Sequence, residues 1–224
     1  MRKKLSYALL FAVIPITVVG GAIIFKEKGY AWISLCVAIF ACVPFFWRYE
    51  NKKTETKEVI LIAVLTALSV AGRVIFAALP GFKPVTAMVV ISAMYFGAEA
   101  GFMTGALSAV VSNFYFGQGP WTPFQMFSWG MIGFIAGLIS APLKKSKVVL
   151  SIYAVIAGIA YSMLMDVWTV LWADGYFNIK RYLAAVVSAL PFTAVYAASN
   201  VIFLLLFSPT IGRILQRVKT KYGI

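Results

Sequence analysis

The chain is 224 residues long, 62% hydrophobic and only 12% charged, and apolar runs of about 20 residues recur along it, which identifies an integral membrane protein. Its 20 Lys and Arg against 7 Asp and Glu give a net charge of +13, but the basic residues fill short gaps between apolar runs, which points to membrane topology and away from a nucleic-acid surface. Histidine is absent, which removes most zinc sites and the usual general base.

The apolar segments fall at about 5–25, 30–47, 59–79, 84–96, 100–116, 124–141, 148–172 and 182–207. Residues 1–25 begin basic and stay apolar past any cleavage point, which reads as an uncleaved anchor helix. Cys36 and Cys42 lie six apart on different faces of the second run, so they imply neither a disulfide nor a metal site. The polar run 48–58, RYENKKTETKE, is the one candidate boundary. It divides the chain into two appended amino-terminal transmembrane helices over 1–50, a cytoplasmic linker over 51–58, a six-helix core over 59–212 and a basic tail over 213–224. The predicted fold is therefore an all-α polytopic membrane protein. The segment 84–96 is the short one: at 1.5 Å per residue it spans roughly 20 Å against a bilayer core of about 30 Å. It must tilt little, thin the bilayer or be covered by neighbours.

Lys and Arg accumulate on the cytoplasmic side of membrane proteins. An amino terminus inside places Arg2–Lys4 and the basic residues of 48–57, 144–147 and 213–221 in the cytoplasm, and leaves only Lys26, Lys28, Lys83, Lys180 and Arg181 outside. Both termini are then cytoplasmic, and the loops at 79–84 and around 112–130 face outward.

Several features could carry function. Ala63, Ala67 and Ala71 lie four apart and form a smooth stripe on the third segment, suited to close approach of another helix of the chain or of another subunit. Gly97, Gly101 and Gly105 form a similar stripe, for which packing within the chain is the expectation, and the echo between GFMTGALSA at 101 and GFIAGLISA at 133 reads the same way. Arg73 and Asp166 are ionisable groups at membrane depth, where charge is costly and by default marks function. They either pair with each other or contact a ligand. Glu99 opens a helix, where a carboxylate suits the positive end of the dipole.

The stretch 112–130, SNFYFGQGPWTPFQMFSWG, crowds Gly, Pro and aromatic residues between two apolar segments. Gly117, Gly119, Pro120 and Pro123 argue for a loop. Asn113, Trp121, Gln125 and Trp129 give it polar and aromatic groups to line a cavity, the alternative being an aromatic belt at the membrane interface. The turn LPGFKP at 79–84 presents Phe82 and Lys83 and has the make-up of a lid. Trp168 and Trp172 bring further aromatic surface to the same end, with Tyr176 and Asn178. No Gly-x-Ser-x-Gly elbow or phosphate-binding Gly-x-x-x-x-Gly-Lys loop occurs, and Asp174 lies too near the surface to partner Asp166 as a protease dyad. The expectation is a protein that is not an enzyme and needs no cofactor or metal.

In AVLTALSVAGR, GFKPV, GAEAGFMTGALSA and SNFYFGQGPWTPFQMFSWGMIGFIAG, over roughly 59–207, the chain resembles the substrate-binding S component of an energy-coupling factor (ECF) transporter, the vitamin-uptake branch of the ABC transporters. The resemblance implies that the stripe Ala63, Ala67 and Ala71 docks on a transmembrane coupling subunit driven by two cytoplasmic ATPases. It also implies a vitamin or related micronutrient bound from outside under the loop 79–84 and released inside when the subunit topples. The expected substrate-binding set is Arg73, Phe82, Lys83, Asn113, Trp121, Gln125, Trp129, Asp166, Trp168 and Trp172. Because the two leading helices are similar to a longer subgroup assigned to cobalamin, cobalamin is the expected ligand, with a flavin or a queuosine precursor as others that fit the same inventory. The alternative from another class is a stand-alone secondary carrier or channel that uses Arg73 and Asp166 as a charge relay; an intramembrane enzyme is a third.

Overall fold

The computed structural model describes residues 56–222 and, before them, Ile39 and Val43. Those two residues apart, the two helices expected over 1–50, both cysteines and most of the linker lie outside the described residues. The described residues form helices joined by short connections, with no strand among them: α1 (Thr56–Ile75), α2 (Val85–Phe96), α3 (Ala98–Phe116), α4 (Thr122–Leu138), α5 (Ser140–Lys145), α6 (Lys147–Asp174) and α7 (Ile179–Tyr222). Among the described residues, α1, α6 and α7 are long and apolar enough to cross a membrane.

The 12-residue α2 is the centre of the bundle. Every residue but Tyr95 is buried, and α1, α3, α4 and α7 pack around it. This is how its shortness is accommodated: it meets protein on all sides, so its length need not match the hydrocarbon thickness. Ser92 and Thr104 satisfy each other across the α2–α3 contact at 2.7 Å, as buried hydroxyls require. The two helices are joined by Gly97 alone, at φ 94° and ψ −180°, a region open essentially only to glycine.

The glycine stripes are packing surfaces. A side chain at Gly101 would meet the carbonyl of Gly133, one at Gly105 would meet the backbone of Trp129, and Gly137 closes on Ala98. The pairs 98–137, 101–133 and 105–129 run in opposite senses, so α3 and α4 are antiparallel and the two echoed motifs are the two faces of one contact. Without hydrophobic drive between helices in lipid, such close backbone approach supplies the packing.

The stretch 112–130 is mostly helix. Only residues 117–121 link α3 to α4, because Pro123 sits in the first turn of α4, where its missing N–H costs nothing. Gly117, at φ 99°, ends α3. The hairpin of α6 and α7 is closed by Gly175 in the left-handed conformation, by Asn178 Oδ1 accepting from the Lys180 N–H at 2.9 Å, and by an Arg181–Asp174 ion pair at 2.9 Å. At the other end α7 continues through the basic residues to Tyr222 with Pro191 and Pro209 inside it, and Lys219 Nζ donates to the Tyr95 carbonyl at 2.8 Å.

Candidate ligand-binding site

A cavity of about 100 Å³ opens at the end of the bundle where α1 stops and the loop 79–84 turns back. Arg73, Gly81, Lys83, Val85, Thr86, Gln125, Trp129, Gly158, Tyr161, Tyr196 and Asn200 line it.

Arg73 stands in the last turn of α1 and anchors a chain of side-chain hydrogen bonds through four helices. Its Nη1 donates to Ser112 Oγ and to Asn113 Oδ1 at 2.8 Å. That bond fixes the amide, since an arginine can only donate, and turns Asn113 Nδ2 toward Gln125 Oε1 at 2.8 Å and Thr122 Oγ1 at 2.9 Å. Gln125 Nε2 in turn donates to Tyr161 Oη at 3.2 Å. Residues from α1, α3, α4 and α6 are thereby tied into one network with defined orientations. The guanidinium also lies between two rings, 4.5 Å from the Phe116 centroid and 5.1 Å from that of Trp129, a geometry that stabilises a cation away from bulk water. Trp129 and Tyr161 are parallel, with centroids 5.0 Å apart and planes 8° from each other, and Tyr196 meets Tyr161 edge-on at 5.4 Å.

The loop 79–84 is clamped over the cavity. Ser199 Oγ on α7 accepts from the Lys83 N–H at 2.9 Å and donates to the Lys83 carbonyl at 3.1 Å. Gly81 takes φ 75°, with Val195 close to where a side chain would begin. Lys83 Nζ donates to the carbonyls of Phe76 and Ala77 at 3.1 and 3.3 Å, in the turn past the end of α1, where the Phe76 carbonyl also accepts from the Leu79 N–H at 3.1 Å. Burial, and secondarily the Arg73 charge, hold its ammonium below the usual lysine range.

Of the residues singled out from sequence, Arg73, Lys83, Gln125 and Trp129 line the cavity, and Asn113 supports them from one layer behind. Phe82 turns into the core, packing on Phe76 and Phe203 at 5.9 and 4.9 Å. Trp121 lies on Gly119, Trp168 packs at a tilt on Phe124 and Trp172 on Trp168; none of the three is in the lining. Asp166 is also outside it, and its buried Oδ2 has no hydrogen-bond partner among the described residues. Arg73 and Asp166 do not pair. Tyr161, Tyr196, Asn200 and Gly158 are lining residues that sequence reasoning passed over; the signal available was a lone tyrosine or amide within a long apolar run. Ala63, Ala67 and Ala71 are all exposed on α1, so no helix among the described residues covers them.

An apolar helical bundle with three described helices long enough to cross a bilayer defines a membrane-embedded protein, here with an aromatic and polar cavity at one end. The family model for the S component of the ECF-type riboflavin transporter matches residues 53–215. The chain belongs to that family, which is one of transporter components and not of enzymes. No curated protein and no solved structure matches it.

Proposed function

We propose that this chain captures a flavin at the outer face of the cell membrane and delivers it by docking on a coupling subunit driven by two ATPases. The observation that carries the reading is the cavity: stacked Trp129 and Tyr161 beside Arg73, Gln125 and Asn200, in a chain whose family is that of riboflavin S components. A flavin is a flat ring system with hydrogen-bonding groups along one edge. Its faces suit aromatic side chains and its edge suits a few fixed polar groups.

Size supports a flavin over cobalamin. At about 100 Å³ the cavity is smaller than the roughly 300–1,000 Å³ typical of ligand sites, so even a flavin needs the loop 79–84 to lift. The Lys83–Ser199 bonds and the Phe82 ring are what such a movement must release. A corrinoid, several times larger, would require the helices themselves to part. The exposed stripe Ala63, Ala67 and Ala71 is suited to the coupling subunit, and the bias of Lys and Arg supports an orientation with both termini in the cytoplasm and the cavity outward. Arg73 bonds neutral Ser112 and Asn113, so the charge-relay carrier has no support from its partners.

The test is reconstitution. Alone in vesicles the protein should give no concentrative uptake of riboflavin; with the coupling subunit, the ATPases and ATP it should accumulate the vitamin. Accumulation driven by an ion gradient without any ATPase would contradict the proposal.

A further inference from the structure

The cavity carries positive charge that its own lining does not balance. Arg73 and Lys83 both line it, and among the described residues the lining holds no Asp or Glu. The two cations are near each other: the Arg73 guanidinium lies 4.5 Å and the Lys83 ammonium 5.2 Å from the centroid of the same Phe116 ring. Their hydrogen-bond acceptors are all neutral, namely Ser112 and Asn113 for Arg73 and two backbone carbonyls for Lys83. Neutral acceptors solvate a cation without cancelling it, and two like charges in a poorly hydrated cavity repel. Of the carboxylates at this end, Asp174 is taken by Arg181 and Asp166 lies outside the lining. Both described hydrogen bonds of Arg73 leave from Nη1, so Nε and Nη2 keep their donors for a ligand.

Resting on the flavin reading above, we propose that the preferred occupant is a phosphorylated flavin, its phosphate monoester held by Arg73 and by Lys83 reaching in from the lifted loop 79–84, and its ring against Trp129 and Tyr161. The planar guanidinium offers a phosphate two parallel bonds, and the ammonium adds a compact charge. A neutral flavin uses the same rings but leaves the pair of cations uncompensated.

The full-length chain, freed of ligand and held in discs of phosphatidylcholine, is titrated with riboflavin and with flavin mononucleotide, following the quenching of flavin fluorescence. The mononucleotide should bind at least about tenfold more tightly, the factor expected of one hydrogen bond to a charged group. Lys83→Gln removes one cation, and Asn113→Asp sets a carboxylate against Arg73; each should shrink that ratio, whereas Lys83→Arg should keep it. The wild-type ratio is decisive even where a variant does not fold. Riboflavin binding as tightly as the mononucleotide, or a ratio that survives both Lys83→Gln and Asn113→Asp, overturns the inference and leaves the flavin reading standing. Failure of both flavins to bind overturns the two together.

Discussion

Asn113→Leu removes the hub of the polar network while keeping the number and branching of the side chain's heavy atoms. Asn113 is 1% exposed and makes three side-chain hydrogen bonds, to Arg73 at 2.8 Å, Gln125 at 2.8 Å and Thr122 at 2.9 Å. A bond to a charged group contributes about 1.5–3 kcal/mol and a neutral one about 1 kcal/mol. Side-chain bonds between membrane helices average nearer 0.6 kcal/mol, because the unfolded chain in lipid also finds partners. Taking the lower figure for the two neutral bonds, and subtracting about 1 kcal/mol for the apolar gain of leucine, the net loss is about 2–3 kcal/mol. Affinity should fall as well, since Arg73 and Gln125 both line the cavity and both lose the partner that orients them; a tenfold loss corresponds to about 1.4 kcal/mol. Thermal unfolding in detergent, read beside a flavin titration, measures both effects. An Asn113→Leu protein with wild-type melting temperature and wild-type affinity would refute the idea that this network positions the site.

Trp129→Ala deletes a ring stacked on Tyr161 and facing Arg73, and isothermal titration should show flavin affinity falling by about ten- to hundredfold, as for a buried aromatic anchor; Trp121→Ala, outside the lining, should change it by less than about twofold. Ala67→Trp places a bulky ring on the exposed stripe and should abolish co-purification with the coupling subunit while ligand titration stays normal. Loss of ligand binding with assembly intact would instead make the stripe an internal face. Gly105→Leu drives a side chain into the Trp129 backbone, whose carbonyl carbon lies 2.5 Å from the new Cβ; α3 and α4 must separate, at a cost of at least about 1–3 kcal/mol, seen as a lower melting temperature or loss of folded protein.

Much of this architecture is written in residue spacing. The apolar runs at 59–79, 100–116 and 148–172 correspond to α1, α3 and α6 to within a few residues, and the glycines four apart in both echoed motifs are where α3 and α4 touch. Arg73, Lys83, Gln125 and Trp129 were legible because a charge at membrane depth, a turn and an aromatic cluster each stand out locally. Tyr161, Tyr196 and Asn200 do not stand out: each is one polar group in a helix of lipid-like composition, and only the packing of α6 against α7 turns them inward. Hydropathy likewise cannot separate a helix buried in protein, as α2 is, from one facing lipid. The last apolar run ends near 207, but the helix does not: α7 continues through Pro209 and the basic residues after it and is fastened through Lys219 to Tyr95. Trp168 and Trp172 lie four apart on one stripe of α6, and that stripe faces Phe124 and not the cavity.

The central claim is that the cavity under the loop 79–84 holds a flavin. Equilibrium dialysis of the purified full-length chain against an equimolar vitamin mixture containing riboflavin, flavin mononucleotide and cobalamin, with mass spectrometry of what the protein retains, tests it directly. The account predicts that a flavin is retained by the wild type and lost in Trp129→Ala. Retention of cobalamin, or of a flavin equally well by both proteins, would contradict it.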